Sequence, residues 1–253
     1  MKLKPYYIHT DFFSFFLHLS KFKKFSKLNQ KDILNVMLKE LKNISKNKLI
    51  IPTYNYDFGK TQKFDVIKDK SQIGSFSEYF RKKYLNNRST VPFYSDCSTY
   101  SRSKLNHLKI NTPLGDHSTF DNLYKEKGKI AFFGSEFSPT YIHYIETKNF
   151  DRIIYRFYKK FTGKIKLKKK TKQVTVNMHV VPKKLKIQYD LKKIEKDLLN
   201  NKILKLRSSP LKFKYKILDV NKFHIFSSNK IKKNPYYFLT KKSISNVKKI
   251  KKR

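Results

Sequence analysis

The stretch GKIAFFGSEFSPTYIHYIE, residues Gly128 to Glu146, decides how this chain folds. Ile130 to Phe133 is a short apolar run that stops at Gly134, the pattern of a buried strand. Ser138-Pro139 then predicts a helix start: Ser138 can cap free amides, and Pro139 at the first helical position gives up no hydrogen bond that mattered. On that helix Thr140, His143 and Glu146 recur every three residues and so share one face. A hydroxyl, an imidazole and a carboxylate in one row are the parts of a general-base site. The carboxylate orients the ring and stabilises its charged form, the ring takes a proton, and the hydroxyl donates to developing charge. Residues this common also fall at this spacing by chance, so the row gains meaning only from its surroundings.

Working outward, strands and helices alternate up to about residue 150. Tyr6 to Asp11 reads as a strand with a polar end. Asn29 to Ile44 reads as an amphipathic helix capped by Asn29, with Ile33, Val36, Met37, Leu41 and Ile44 as its apolar stripe. Lys48 to Ile51 is a strand running into Pro52-Thr53, Ser75 to Tyr84 a short helix, and Asn86 to Ser95 a loop. Ser98 to Leu105 and Phe120 to Glu126 are further helices, separated by turn chemistry at Asn111 to Ser118. The alternation predicts an α/β layered fold. Beyond it, Arg152 to Phe161 and Val174 to Val181 read as two strands joined by a solvated lysine turn, Lys166 to Lys172. Asp190 to Asn200 reads as a helix capped by Asp190. Residues 1–228 are expected to form a single domain, and residues 229–253, almost all lysine and polar, a loose tail.

Composition narrows the function classes. With 39% hydrophobic and 15% aromatic residues in 253, the chain has enough apolar surface for a folded core. No run of about twenty apolar residues is present, so no membrane span is predicted, and Phe12 to Leu19 is too short and lacks the flanks of a signal peptide. The single cysteine, Cys97, rules out an internal disulfide and a cysteine-rich zinc site; it fits a reducing compartment, the cytoplasm. The net charge of +41 raises a rival class, a basic RNA- or ribosome-associated binding protein without catalysis. Yet the lysines are spread through almost every segment. The chain also favours Lys, Asn, Ile, Phe and Tyr, residues with A/T-rich codons, while holding 6 glycines and no tryptophan. The charge therefore speaks at most for an anionic ligand such as a nucleotide-bearing cofactor.

An ordered set of motifs then comes into view: Pro52-Thr53 at a strand end, Gly74-x-x-x-Glu78-x-Phe80-Arg81, Arg88-Ser89-x-x-Pro92-x-x-Ser95, Gly115-x-x-Ser118 and Thr140-x-x-His143-x-x-Glu146. In order and spacing, from about residue 6 to about residue 165, this set resembles the aminoglycoside 3-N-acetyltransferase family. It is closest to the branch associated with polysaccharide biosynthesis, where Pro-Thr-Tyr, Glu-Tyr-Phe-Arg and His-Tyr-x-Glu wording recurs. Two departures stand out. Val91 precedes Pro92 where the family has a histidine, and Ser45-Lys46-Asn47-Lys48 stands where the family tends to have glycines.

The resemblance implies a three-layer α/β/α sandwich with a central mixed sheet, acetyl-coenzyme A as co-substrate and a primary amine as acceptor. The amine would belong to an amino sugar, either an aminoglycoside antibiotic or a surface-polysaccharide precursor. By position His143 would be the base, Glu146 its anchor and Thr140 a donor to the thioester oxygen. Thr10, Arg88, Ser89 and Ser95 would lie against the cofactor, and Tyr54 and Asp57 on the acceptor side. Arg88 in a loop salt bridge, Thr10 in a local cap and Asp57 at the surface are the plainer alternatives. One histidine beside one glutamate, with no second ligand pair, predicts no metal.

Overall fold

The computed structural model describes residues 3–101, 112–168 and 170–251. In chain order its elements are β1 (Tyr6–Thr10), α1 (Phe12–Leu19), α2 (Gln30–Ser45), β2 (Leu49–Pro52), α3 (Phe58–Thr61), β3 (Lys63–Asp65) and α4 (Ser75–Lys83). Then come β4 (Asp96–Ser98), α5 (Thr119–Lys125), β5 (Lys129–Phe133), α6 (Tyr141–Lys148), β6 (Phe157–Leu167), β7 (Lys170–Val180), α7 (Leu191–Asn200), β8 (Leu204–Ser208), β9 (Lys214–Asp219), α8 (Val220–Lys233) and α9 (Lys241–Lys251).

Six strands form the central sheet in the order β4-β2-β1-β5-β9-β8. β1 runs parallel to β2 and β5, while β4, β9 and β8 join antiparallel, so the sheet is mixed. Side chains alternate across it as the two-residue period requires. Tyr7, Ile50, Ile130 and Phe132 enter one apolar cluster with residues of α5, α6, α7 and α8. Ile8, Ile51, Ala131 and Phe133 enter a second with residues of α1, α2 and α4. Helices thus cover both faces, giving the three-layer α/β/α sandwich. Asn29 caps α2 as predicted, and Asp32 answers it in a reciprocal capping box.

Four expectations change. The lysine run is mostly strand: β6 and β7 are 11 residues each, pair along their whole length and carry Lys166, Lys170 and Lys172, while Lys168, at φ 44, stands in the turn between them. Lysines alternating with Phe161, Ile165, Val174 and Val176 satisfy the strand period, which a reading by charge alone overlooks. β3 docks beside this hairpin. A Cβ at Gly163 would lie 2.2 Å from the Gln62 carbonyl, so the approach requires glycine there. The tail is not loose either. α8 continues to Lys233, Tyr237, Phe238 and Leu239 are buried, and α9 packs Val247 into the same cluster. Ser98 closes a strand instead of opening a helix, and residues 102–105 of that expected helix, like Asn111 of the expected turn, lie outside the described residues. Finally, the turn before β2 survives without glycine: Lys46 (φ 49) and Asn47 (φ 62) both adopt the left-handed conformation.

Candidate active site

β1 and β5 are neighbours in register, Thr10 opposite Phe133, and their carboxyl ends open at one edge of the sheet, where α/β folds bind ligands. Gly134 turns the chain out of β5 with φ 79. A Cβ there would come within 3.0 Å of the Asp11 carbonyl and 3.1 Å of Ser14 Cβ, so the turn is both left-handed and tight. α6 begins at Tyr141, later than predicted. Thr140, not Ser138, sits at the cap position, and neither hydroxyl is needed there. The Ile142 amide donates to the Pro139 carbonyl at 3.0 Å and the His143 amide to that of Thr140, a tight i to i+3 first turn.

α6 buries Tyr141, Ile142, Tyr144 and Ile145 in the core, and His143 and Glu146 lie on its polar row. His143 Nδ1 is 3.1 Å from Glu146 Oε2, with the imidazole 25% exposed and the carboxylate fully buried. Such a carboxylate requires partners, and it has them. Arg156 Nε pairs with Oε2 at 2.9 Å, Tyr155 donates its hydroxyl to Oε1 at 2.7 Å and the Tyr189 hydroxyl lies 2.9 Å from Oε1. Arg156 also reaches His143 Nδ1 at 2.8 Å and the Tyr189 hydroxyl at 2.6 Å, and donates to the His179 carbonyl. None of Tyr155, Arg156 and Tyr189 was singled out from sequence. The signal was present: Glu146 falls one residue after Ile145 on a helix that is otherwise buried, and a buried carboxylate implies an arginine nearby.

Burial pushes the Glu146 carboxyl up, but the Arg156 charge and the His143 and Tyr155 bonds outweigh it and hold the group below the usual carboxylate range. His143 moves down, through burial and then through the Arg156 charge, against the upward pull of Glu146. The pair is therefore a neutral imidazole on an ionised carboxylate. With the Nδ1 proton donated to Glu146, Nε2 keeps the lone pair a base needs; with Arg156 donating to Nδ1, the ring proton sits on Nε2 instead.

Tyr54 is brought to the row. Its hydroxyl is 2.6 Å from that of Tyr7, and the nearby Thr140 hydroxyl pulls its pKa down against the rise from burial. Asp57 is not: it is exposed and lines a separate cleft of about 530 Å3 with Lys68 and Lys166. Thr10 is half-buried at the end of β1. The side chains of the expected cofactor loop bond within the protein. Arg88, 6% exposed, donates to the carbonyls of Val66, Asp69 and Thr53 and to Ser95 Oγ, and its guanidinium lies 5.0 Å over the Phe64 ring. Ser95 Oγ donates to the Thr53 carbonyl at 2.7 Å, and Ser89 Oγ accepts from the Asp96 amide. These residues pin one loop to another, and of the Arg88 nitrogens only Nε is left without a partner among the described residues. Sequence spacing could not show which way the side chains of this loop face. Two buried polar atoms at the strand ends do lack partners among the described residues, His9 Nε2 and Ser135 Oγ.

Burial also holds three other histidines, His9, His179 and His224, at about 4. The unfolded chain takes up these protons near 6.5, so stability is full above that value and is lost as pH falls toward 4. The thermal midpoint is expected to drop by at least about 10 °C between pH 7 and pH 4.5. A midpoint unchanged across that window in a calorimetric pH series would show these rings to be solvated.

A mixed sheet with helices on both faces, carrying an imidazole bonded to a buried carboxylate beyond a strand end, defines an α/β protein with a candidate acid-base site. Residues 39–219 match the family model "Aminoglycoside 3-N-acetyltransferase". The chain belongs to that family, and with it to the acetyl-coenzyme A-dependent N-acetyltransferases. The match extends through β9, well past residue 165 where the resemblance in wording ends. Similar solved structures include the YokD protein from Bacillus subtilis, with 13% identity, 92% of this chain and 88% of that one covered, and a TM-score of 0.67. AAC-IIIb in a binary complex with CoASH gives 12%, 91% and 90%, and 0.68; AAC-VIa bound to sisomicin gives 14%, 91% and 91%, and 0.64. At these identities the likeness carries the fold. No curated protein matches the sequence. No helix among the described residues is long and apolar enough to cross a membrane.

Proposed function

We propose that the protein moves the acetyl group of acetyl-coenzyme A to a primary amine of an amino sugar, with His143 as general base. The observation that carries this is the neutral His143 ring held through Nδ1 by the ionised Glu146. Bound acetyl-coenzyme A supplies an acyl carbon activated as a thioester. In the tautomer whose Nδ1 proton goes to Glu146, His143 Nε2 removes the proton that the attacking nitrogen must lose, and Glu146 stabilises the imidazolium so formed. The ring then returns that proton to the departing sulfur. Thr140, beside Tyr54, turns its hydroxyl to the carbonyl oxygen as charge collects there. The residues fit an amide-bearing arm: His9 Nε2 and Ser135 Oγ, with Thr10 between β1 and β5, would hold it. Arg88, Ser89 and Ser95 would fix the loop behind it.

A thiol-release assay tests the reading across two panels, deoxystreptamine aminoglycosides and nucleotide-linked amino sugars. Turnover is expected with acceptors of one panel. Release of thiol with neither, from folded protein, would overturn it. Of the two sources, the motif wording around Pro52-Thr53-Tyr54 and His143-Tyr144 favours the polysaccharide precursor.

A further inference from the structure

Beyond the His143 row, α6 borders a cleft of about 300 Å3 that the reaction scheme leaves without a role. It starts close by: Thr147, on its wall, donates Oγ1 to the His143 carbonyl at 2.8 Å, one helical turn or about 6 Å along the axis. Two large rings stand open on it, Phe150 at 60% exposure and Tyr158 at 52%, with centroids 6.3 Å apart. Beneath Tyr158, stacked at 4.9 Å, lies His179. It is 3% exposed, lines the cleft, and its Nδ1 has no hydrogen-bond partner among the described residues. Folded proteins seldom leave such an atom unsatisfied without a ligand or water to meet it. Its burial keeps the ring uncharged, so it offers hydrogen bonding without charge. Asn177 adds an amide and Asp116 a carboxylate, the latter bridged to Lys148 at 2.8 Å.

Aromatic faces beside uncharged and acidic hydrogen-bonding groups match one chemical class. A pyranose presents an apolar C–H face and a polar edge, and this wall presents the complement of both. The volume lies at the small end of ligand clefts and admits one ring, leaving any further rings in solvent. We propose that this cleft is the acceptor's sugar subsite, holding a single pyranose against the open rings of Phe150 and Tyr158, with His179 at its polar edge, beside the acetyl-transfer site. The proposal rests on the amino-sugar reading above and adds to it the place where the ring binds.

Kinetics with methyl β-D-glucosaminide as acceptor, and saturation-transfer NMR with the amine-free methyl β-D-glucoside, test it on the full chain. Phe150→Ala and Tyr158→Ala alter exposed rings, and circular dichroism confirms that each variant stays folded. Each is expected to raise the glucosaminide KM on the order of tenfold with kcat within about twofold, the signature of lost ring binding. The glucoside signal seen with the parent protein is expected to vanish in both. Acetyl transfer with a KM indifferent to both substitutions would overturn the subsite and leave the transferase standing. Glucoside binding that both substitutions abolish, without transfer to any amine, would uphold the subsite and sink the transferase reading. A parent protein that binds neither sugar overturns the subsite outright.

Discussion

Replacing His143 with alanine is expected to lower kcat/KM for acetyl transfer by about 10²–10⁴ while the protein stays folded. The two halves of that expectation come from different contacts. The ring is one-quarter exposed, so its loss opens little core. Glu146 keeps Arg156, Tyr155 and Tyr189 when the imidazole is gone. The rate falls because the attacking nitrogen then has only water to take its proton. Burial and the Arg156 charge lower the His143 pKa, so the neutral base persists below 6.5. The acid limb of kcat/KM in the parent enzyme therefore lies below the ordinary histidine value, and the limb disappears in the variant. A variant within threefold of the parent at pH 7 would show that another group is the base.

Glu146→Ala is the larger blow to the fold. It leaves Arg156, 6% exposed, as an uncompensated buried cation and strips the acceptor from the Tyr155 and Tyr189 hydroxyls. Breaking one side of such a pair costs about 3–5 kcal/mol. Removing both charges together, Glu146→Ala with Arg156→Met, is expected to recover much of that in urea unfolding, because no lone charge remains. The double variant should still be inactive, since His143 has lost its anchor. If the single variant unfolds at the same urea concentration as the parent, the carboxylate is solvated and the network is not what holds it.

Much of this was legible in the residues. GKIAFF ending at Gly134, and a hydroxyl, imidazole and carboxylate three apart, place strand, turn and candidate row because each depends on local spacing alone. What sequence could not supply is the long-range part. Arg156 and Tyr189 lie 10 and 43 positions from Glu146 in the chain; only the folded sheet brings them to it. Arg88 shows the converse: an arginine at the right spacing whose side chain turns inward to carbonyls 19 to 35 residues away. The lysine-rich segments misled for one physical reason. A long aliphatic stem lets lysine occupy the solvent side of a strand or helix at little penalty, so the lysine-rich start of β7 reads as turn and α9 as loose tail when judged by charge.

The placement of β9 bears on how the molecule is made. β5, the strand that leads into the catalytic turn, gains its second neighbour only from Lys214–Asp219, roughly eighty residues later in synthesis. Until that segment leaves the ribosome, the nascent chain exposes a bare edge of Ile130, Ala131 and Phe132, open to pairing with other chains. A dependence on holdase chaperones during translation, relieved once β9 has emerged, follows from the strand order.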